Sequence, residues 1–364
     1  MNESGTKDLP TDRSLAADIA QLYDSFGQRK PMPYSSPEPT RPLFFLLRTF
    51  LGDNDLLVIL NTKRCRYQCA FCRLPAKSTK LFVPNEAVVD QFRFVATELR
   101  HSLSIVNRVT LSNEGSVLDE QTLGGAALGE IVAAIGAMRR VRRIEFETRL
   151  EFVRPEVLRQ LKEAAPRVSI GILTGFETVD ERIRDKVLKK REPLSMFLEG
   201  LDNVAAARAA LTAYVLVKPD PRMSDEEGCD EAARTINFLA TECRRRRISD
   251  LTIRLNPMYR AVDSRWAEVA DSTSNYEPPR LTDVMRVAEE AVTEYRDIKV
   301  YVGLSTEGLA SKAGTYLARE DYTAGLIKYV KEFNDRQKKF PWDRIEVERP
   351  LASDHHGAVQ GTLI

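Results

Sequence analysis

Histidine is almost missing from this chain. Only His101, His355 and His356 occur in 364 residues, and the one close pair sits in a polar C-terminal stretch, which argues against a histidine-built metal site. Cysteine is scarce as well: five in all, too few and too odd a number for a disulfide scaffold. No apolar run approaches the roughly 18 residues that suggest a membrane span. The start, MNESGTKDLPTDRS, lacks the apolar core of a secretory signal. There is no surplus of positive charge either. The net charge is +1, whereas a protein gripping nucleic acid through phosphates ordinarily shows a basic excess. The expectation left standing is a cytoplasmic globular protein with no membrane partner.

What is present is a regular alternation. Short β-rich runs recur at 56–62, 106–112, 142–148, 167–173, 211–217 and 251–256, separated by helical patterns such as 85–101, 128–140 and 155–165. Asn85 is expected to cap the first of these helices, and Pro155 suits the first turn of the third. Strands that alternate with helices pair in parallel through crossovers. Six units suit an open or partial barrel as well as a doubly wound α/β sheet, and both place chemistry on loops at the C-terminal strand ends. Before this core, residues 1–45 read as an N-terminal extension, with a short helix capped by Ser14 and a proline-rich stretch over 31–42. The core spans 46–297. Residues 298–364 read as a C-terminal extension: a candidate seventh strand at 298–305, a helix around 318–338, and an irregular tail.

The informative feature is clustering. Cys65, Cys69 and Cys72 fall within eight residues, spaced C-x3-C-x2-C, directly after the first β-rich run. Closely spaced thiolates on a loop hold iron–sulfur clusters, one thiolate to each iron. Three thiolates account for three irons of a [4Fe–4S] cube and leave the fourth open. Cys229 and Cys243, 14 residues apart in a helical pattern, lack cluster spacing. The competing readings are a zinc knuckle or inert buried thiols. Structural zinc asks for four closed ligands, and no fourth cysteine or histidine lies nearby.

This loop, with Phe71 before its last cysteine, resembles the signature of the radical S-adenosylmethionine (SAM) superfamily. The resemblance implies a partial (β/α)6 TIM-like barrel, a [4Fe–4S] cluster whose open iron chelates SAM, an external electron donor of flavodoxin or ferredoxin type, and hydrogen abstraction from a substrate by a 5′-deoxyadenosyl radical. It also implies where SAM contacts fall. The turn Ser112-Asn113-Glu114-Gly115-Ser116 stands where the family usually has a Gly-Gly-Glu-like turn. It departs from that pattern, so the contacting side chain among Ser112, Asn113 and Glu114 stays open. Alternation puts Glu145 and Glu147 on one strand face, and Glu147-Thr148-Arg149 is similar to the Glu-x-Arg of proteins related to the elongator catalytic subunit. The segment from Gly171 to Glu177, followed by an acidic helix with Arg184, resembles one that passes near SAM. Met258 follows a strand end where the family packs against adenine. For each of these residues the plainer reading is a polar turn, a salt-bridged strand pair, a solvated helix face or simple packing.

Within the superfamily the resemblance is to the archaeosine-synthase radical SAM subunit and the elongator/methylthiotransferase branch. The carrying segments are 113–119, Glu147-Thr-Arg149 and Leu255-Asn-Pro257-Met258. The chain departs from that family in lacking a C-terminal cysteine group and a basic surplus. The expected substrate is therefore a small or medium-sized polar metabolite, for instance in natural-product biosynthesis. The alternative is a nucleoside or tRNA base, and a reading of another class is a non-catalytic iron–sulfur redox or sensor protein. Tyr259 and Tyr301 are candidate radical donors, with packing as the competing role.

Overall fold

The computed structural model describes residues 38–74, 78–273, 276–306 and 309–339. The expected N-terminal helix, most of the proline-rich stretch, the C-terminal tail, His355 and His356 lie outside the described residues.

Eight strands form one sheet in chain order: β1 (Phe44–Phe50), β2 (Asp53–Ile59), β3 (Arg108–Ser112), β4 (Arg143–Glu147), β5 (Ser169–Glu177), β6 (Ala210–Val217), β7 (Leu251–Pro257) and β8 (Ile298–Val302). From β2 onward every pair is parallel, and β1 pairs antiparallel with β2. The helices are α1 (Asn85–Glu98), α2 (Gly125–Gly136), α3 (Pro155–Ala164), α4 (Leu194–Ala206), α5 (Asp225–Arg245), α6 (Arg265–Ser272), α7 (Leu281–Glu294) and α8 (Ala324–Arg336). The chain thus adopts an α/β, TIM-like partial barrel. It has seven parallel strands where six were counted, because the candidate seventh strand joins the sheet as β8.

β1 is an addition that the sequence reading did not count, and it straddles the expected boundary between extension and core at 45/46. Its hairpin turns on Leu51 and Gly52, both left-handed at φ 51° and 82°, the two-residue turn whose twist suits paired strands. Two other expectations shift. Pro84, not Asn85, occupies the cap of α1. The expected helix after β5 is a short π-helical turn, Ile183–Val187.

Strand alternation explains the layers. In β7, Leu251, Ile253 and Leu255 belong to the core under the helices, while Arg254, on the opposite face, donates to the hydroxyl of its cross-strand neighbour Tyr214 at 3.0 Å. The lumen floor is polar and paired. Arg48 bridges Asp55 at 2.7 Å, Thr110 donates to Asp55, and Glu145 accepts from Arg108 and Thr212. Buried charges persist when each is paired and hydrogen-bonded. The two sheet edges meet at this floor, where Phe50 of β1 stacks on Tyr301 of β8 with ring centroids 4.5 Å apart.

The free edge of β8 is met by side chains. Asn334 accepts from Val302 N–H at 2.7 Å and donates to its carbonyl at 3.0 Å. Gln337 does the same for Val300, at 2.7 and 2.8 Å. Two amides at the end of α8 thereby reproduce the hydrogen bonds of a ninth strand.

Candidate active site

The cysteine loop begins where β2 ends, and its entry is fixed from the side. The buried Gln91 of α1 accepts from Asn61 N–H at 2.7 Å and returns a bond to the Asn61 carbonyl at 2.8 Å. The turn carrying Cys69 and Cys72 is clasped on both faces. Ala70 N–H donates to the Leu188 carbonyl at 2.7 Å, and the Ala70 carbonyl accepts from Trp266 N–H at 3.0 Å. Cys65, Cys69 and Cys72 are all free thiols, partly buried, on the wall of one cavity. Burial pushes the Cys65 and Cys69 thiols up; the Tyr67 backbone N–H pulls Cys65 back, and the positive charges of Lys190 and Arg149 act against the rise at both.

The turn after β3 closes over this loop. A Cβ on Gly115 would lie 3.1 Å from the Cβ of Cys65, so the close approach favours glycine. Arg66 on the loop pairs with Asp119 on the turn at 2.8 Å. Glu114, left-handed at φ 56°, lines the cavity. Ser112 and Asn113 do not: the Ser112 hydroxyl accepts from Glu114 N–H, and Asn113 donates to Thr62 and Thr122. These two hold the turn's shape.

The ends of β4 and β5 bring the charges. Glu147 and Arg149 both reach the cavity. The Arg149 guanidinium lies 3.9 Å from the Tyr67 ring centroid, pairs with Glu151 at 2.9 Å, and donates to the carbonyls of Lys190 and Arg191 at 3.0 and 3.2 Å. The β5–β6 register shifts at Glu177, whose backbone is left-handed at φ 71°. Such a bulge re-aims a side chain, and a left-handed backbone costs a non-glycine residue about 1 kcal/mol or more. The Glu177 carboxyl lies back over Gly175, where a Cβ would fall 2.1 Å from Oε1. Burial raises the Glu177 pKa against the pull of Lys190, whose Nζ is 3.4 Å away. Lys190 also faces Glu192 at 3.6 Å, and Glu192 pairs with Arg184 at 3.2 Å. Arg184 therefore stands at the back of this chain of charges and does not line the cavity, whereas Glu177 and Lys190 do.

Among the described residues, the far wall carries no charged side chain. It comes from the ends of β6 to β8 and the loop after β8, with Tyr214, Asn256, Met258, Tyr259, Ser305 and Thr306. The Asn256 Oδ1 is buried with no hydrogen-bond partner among the described residues. Gly303 leaves room for it, since a Cβ there would come within 2.2 Å. Phe71 lines the cavity beside the cysteines, whereas Tyr301 is buried against Phe50 instead. The sequence reading missed Lys190, Asn256, Tyr214 and the β8 loop. Asn256 and Tyr214 had a signal, their inward phase in the alternation of β7 and β6.

The residues fit the group their motif implies. Among the described residues no three His, Cys, Asp or Glu side chains form a single-ion site; a cube binds each thiolate to a different iron and asks for separated thiols on one wall. The paired charges and the partnerless amide oxygen suit a zwitterionic nucleoside-containing cofactor.

Residues 59–221 match the family model of the Radical SAM superfamily, so the chain carries a radical SAM domain. It is an enzyme, and its cofactors are a [4Fe–4S] cluster and SAM; the sensor reading is set aside. Among its relatives is the archaeosine synthase subunit beta of Thermococcus kodakarensis, 25% identical over 287 residues, which cover 78% of this chain and 85% of the relative. An uncharacterized protein of Methanocaldococcus jannaschii is 21% identical over 297 residues, covering 80% and 78%. A solved structure of spore photoproduct lyase complexed with dinucleoside spore photoproduct aligns with a TM-score of 0.49 at 15% identity, covering 81% of this chain and 86% of that one. No helix among the described residues is long and apolar enough to cross a membrane.

Proposed function

We propose that this enzyme abstracts hydrogen from a small or medium-sized polar substrate seated against the β7–β8 wall. One observation carries the reading: a single cavity, about 1350 Å³ counted out to open solvent, joins the three thiols to a wall that, among the described residues, presents neutral hydrogen-bonding groups. When bound, the cluster and SAM supply a 5′-deoxyadenosyl radical. In this reading Cys65, Cys69 and Cys72 hold three irons, and Glu147 accepts from ribose hydroxyls. Glu114, Glu177 and Lys190 face the charged methionyl end. Phe71 and Met258 pack against the adenine. Arg149, whose guanidinium is already engaged by Glu151 and two carbonyls, fixes the rim. Ser112, Asn113 and Arg184 position the groups in front of them. Five free cysteines support a reducing, cytoplasmic setting. The experiment is anaerobic incubation with SAM and dithionite. Release of 5′-deoxyadenosine is expected; its absence, with or without candidate substrates, overturns the reading.

A second reading, modification of a nucleoside or tRNA base, is favoured by the relative named archaeosine synthase subunit beta. Gel retention of tRNA at moderate salt tests it, and no retention removes tRNA as the substrate.

A further inference from the structure

Enzymes of this superfamily need an electron from outside, and the strip beside the cysteine loop combines basic side chains with exposed apolar ones. Elsewhere arginines are mostly paired, as Arg93, Arg154, Arg182, Arg222, Arg244 and Arg260 show. Lys63, Arg64 and Lys80 form no ion pair among the described residues, and Arg64 and Lys80 are exposed. They lie together because Lys63 bridges Thr79 and Arg64 N–H donates to the Thr79 carbonyl at 2.8 Å. The same strip carries Leu81, 76% exposed, and Phe82, 47% exposed, two of the five exposed large apolar side chains among the described residues. Arg64 is directly followed by Cys65.

We propose that Lys63, Arg64, Lys80, Leu81 and Phe82 form the docking face for an acidic, flavodoxin-type electron-donor protein. The proposal rests on the cluster assignment to Cys65, Cys69 and Cys72. Positive charge steers an acidic partner to the face, and the exposed apolar pair supplies the dry centre that a small, transient interface needs. Electron transfer weakens steeply with distance, so a donor seated one residue from Cys65 is placed where its electron is wanted. The donor is oxidised by one electron and the cluster is reduced by one; no bond in this chain forms or breaks. The exposed leucine and phenylalanine favour a protein over a nucleic-acid backbone, which asks for basic groups alone.

The test compares wild-type holoenzyme with K63E/R64E/K80E and, separately, L81S/F82S. These side chains are exposed or half-exposed, and the basic ones form no ion pair among the described residues, so iron content is expected to match wild type. Binding of oxidised flavodoxin at low salt is expected to weaken about tenfold or more on charge reversal, as expected for a steered complex, and wild-type binding is expected to weaken as salt rises. SAM cleavage driven by reduced flavodoxin falls in parallel, while cleavage driven by dithionite stays within about twofold, since a small reductant needs no docking face. Unchanged flavodoxin binding in both variants overturns the proposal. So does loss of tRNA retention in K63E/R64E/K80E with flavodoxin binding intact, which assigns the face to RNA. Failure of dithionite-driven cleavage in the wild type counts against the cluster reading instead, and the binding measurement still decides the docking face.

Discussion

Lys190 holds its ammonium 3.4 Å from the Glu177 carboxylate, and both groups are buried. Neither is satisfied by solvent, so each depends on the other, and Lys190 also on Glu192. Removing one partner of a buried pair strands the other and costs about 3 kcal/mol. Lys190→Met is expected to lower the unfolding free energy obtained from denaturant titration by that amount. Lys190→Met combined with Glu177→Gln should recover part of the loss. Equal destabilisation by the single and double variants would show that the two groups are not coupled.

In the proposed site the three loop cysteines act as a set. Cys65→Ala, Cys69→Ala or Cys72→Ala should each abolish or destabilise the visible iron–sulfur absorption, because in that reading each thiolate holds a separate iron. Cys229→Ser and Cys243→Ser should leave iron content unchanged. Both sit on α5, outside the cavity lining, and burial pushes both thiols up to about 12. Iron analysis and absorption spectra of the five variants check this.

Glu147 belongs to the cavity rim, not to the cluster loop. Glu147→Ala is expected to weaken SAM binding about tenfold, the scale of one charge-assisted hydrogen bond, with iron content intact. Equilibrium binding of SAM to the two reconstituted proteins decides it. Unchanged affinity makes this carboxylate structural.

Acid stability has a specific contributor at the floor of the sheet. Burial acts to raise the Asp250 pKa, but Arg143 and Lys299 outweigh it and hold the carboxyl below the ordinary carboxylate value. A depressed folded-state pKa contributes stability that is fully present above the unfolded value, about 3.9, and is lost as pH falls through the folded value. Asp250→Asn should therefore be less stable than wild type at neutral pH, and the difference should shrink as the solution is acidified below about 3.9. A difference that stays constant with pH would rule out the linkage.

How much was legible in the sequence follows from how local each signal is. The cysteine loop needs three residues close in the chain, so its spacing was readable. The parallel core was readable because strand alternation and helix patterns repeat. The β1–β2 hairpin was hidden because Leu51 occupies a left-handed turn position that usually advertises itself as asparagine or glycine. Lys190 was hidden because it meets Glu177 only after the chain passes through the irregular turn Ile183–Val187. The placement of Ser112, Asn113 and Arg184 outside the cavity depends on partners distant in sequence, such as Thr62 and Thr122 for Asn113, and no spacing rule reports those.

The two amides that finish the β8 edge have a consequence for handling the protein. A sheet closed at its floor by stacked rings, not by backbone bonds, leaves an open row of amides and carbonyls that another molecule's strand can adopt. Asn334 and Gln337 occupy that row at Val302 and Val300. Exchanging both for leucine would remove the four hydrogen bonds to β8 and uncover a template for intermolecular pairing. The resulting defect would surface first as concentration-dependent aggregation during refolding, with the cavity's chemistry untouched.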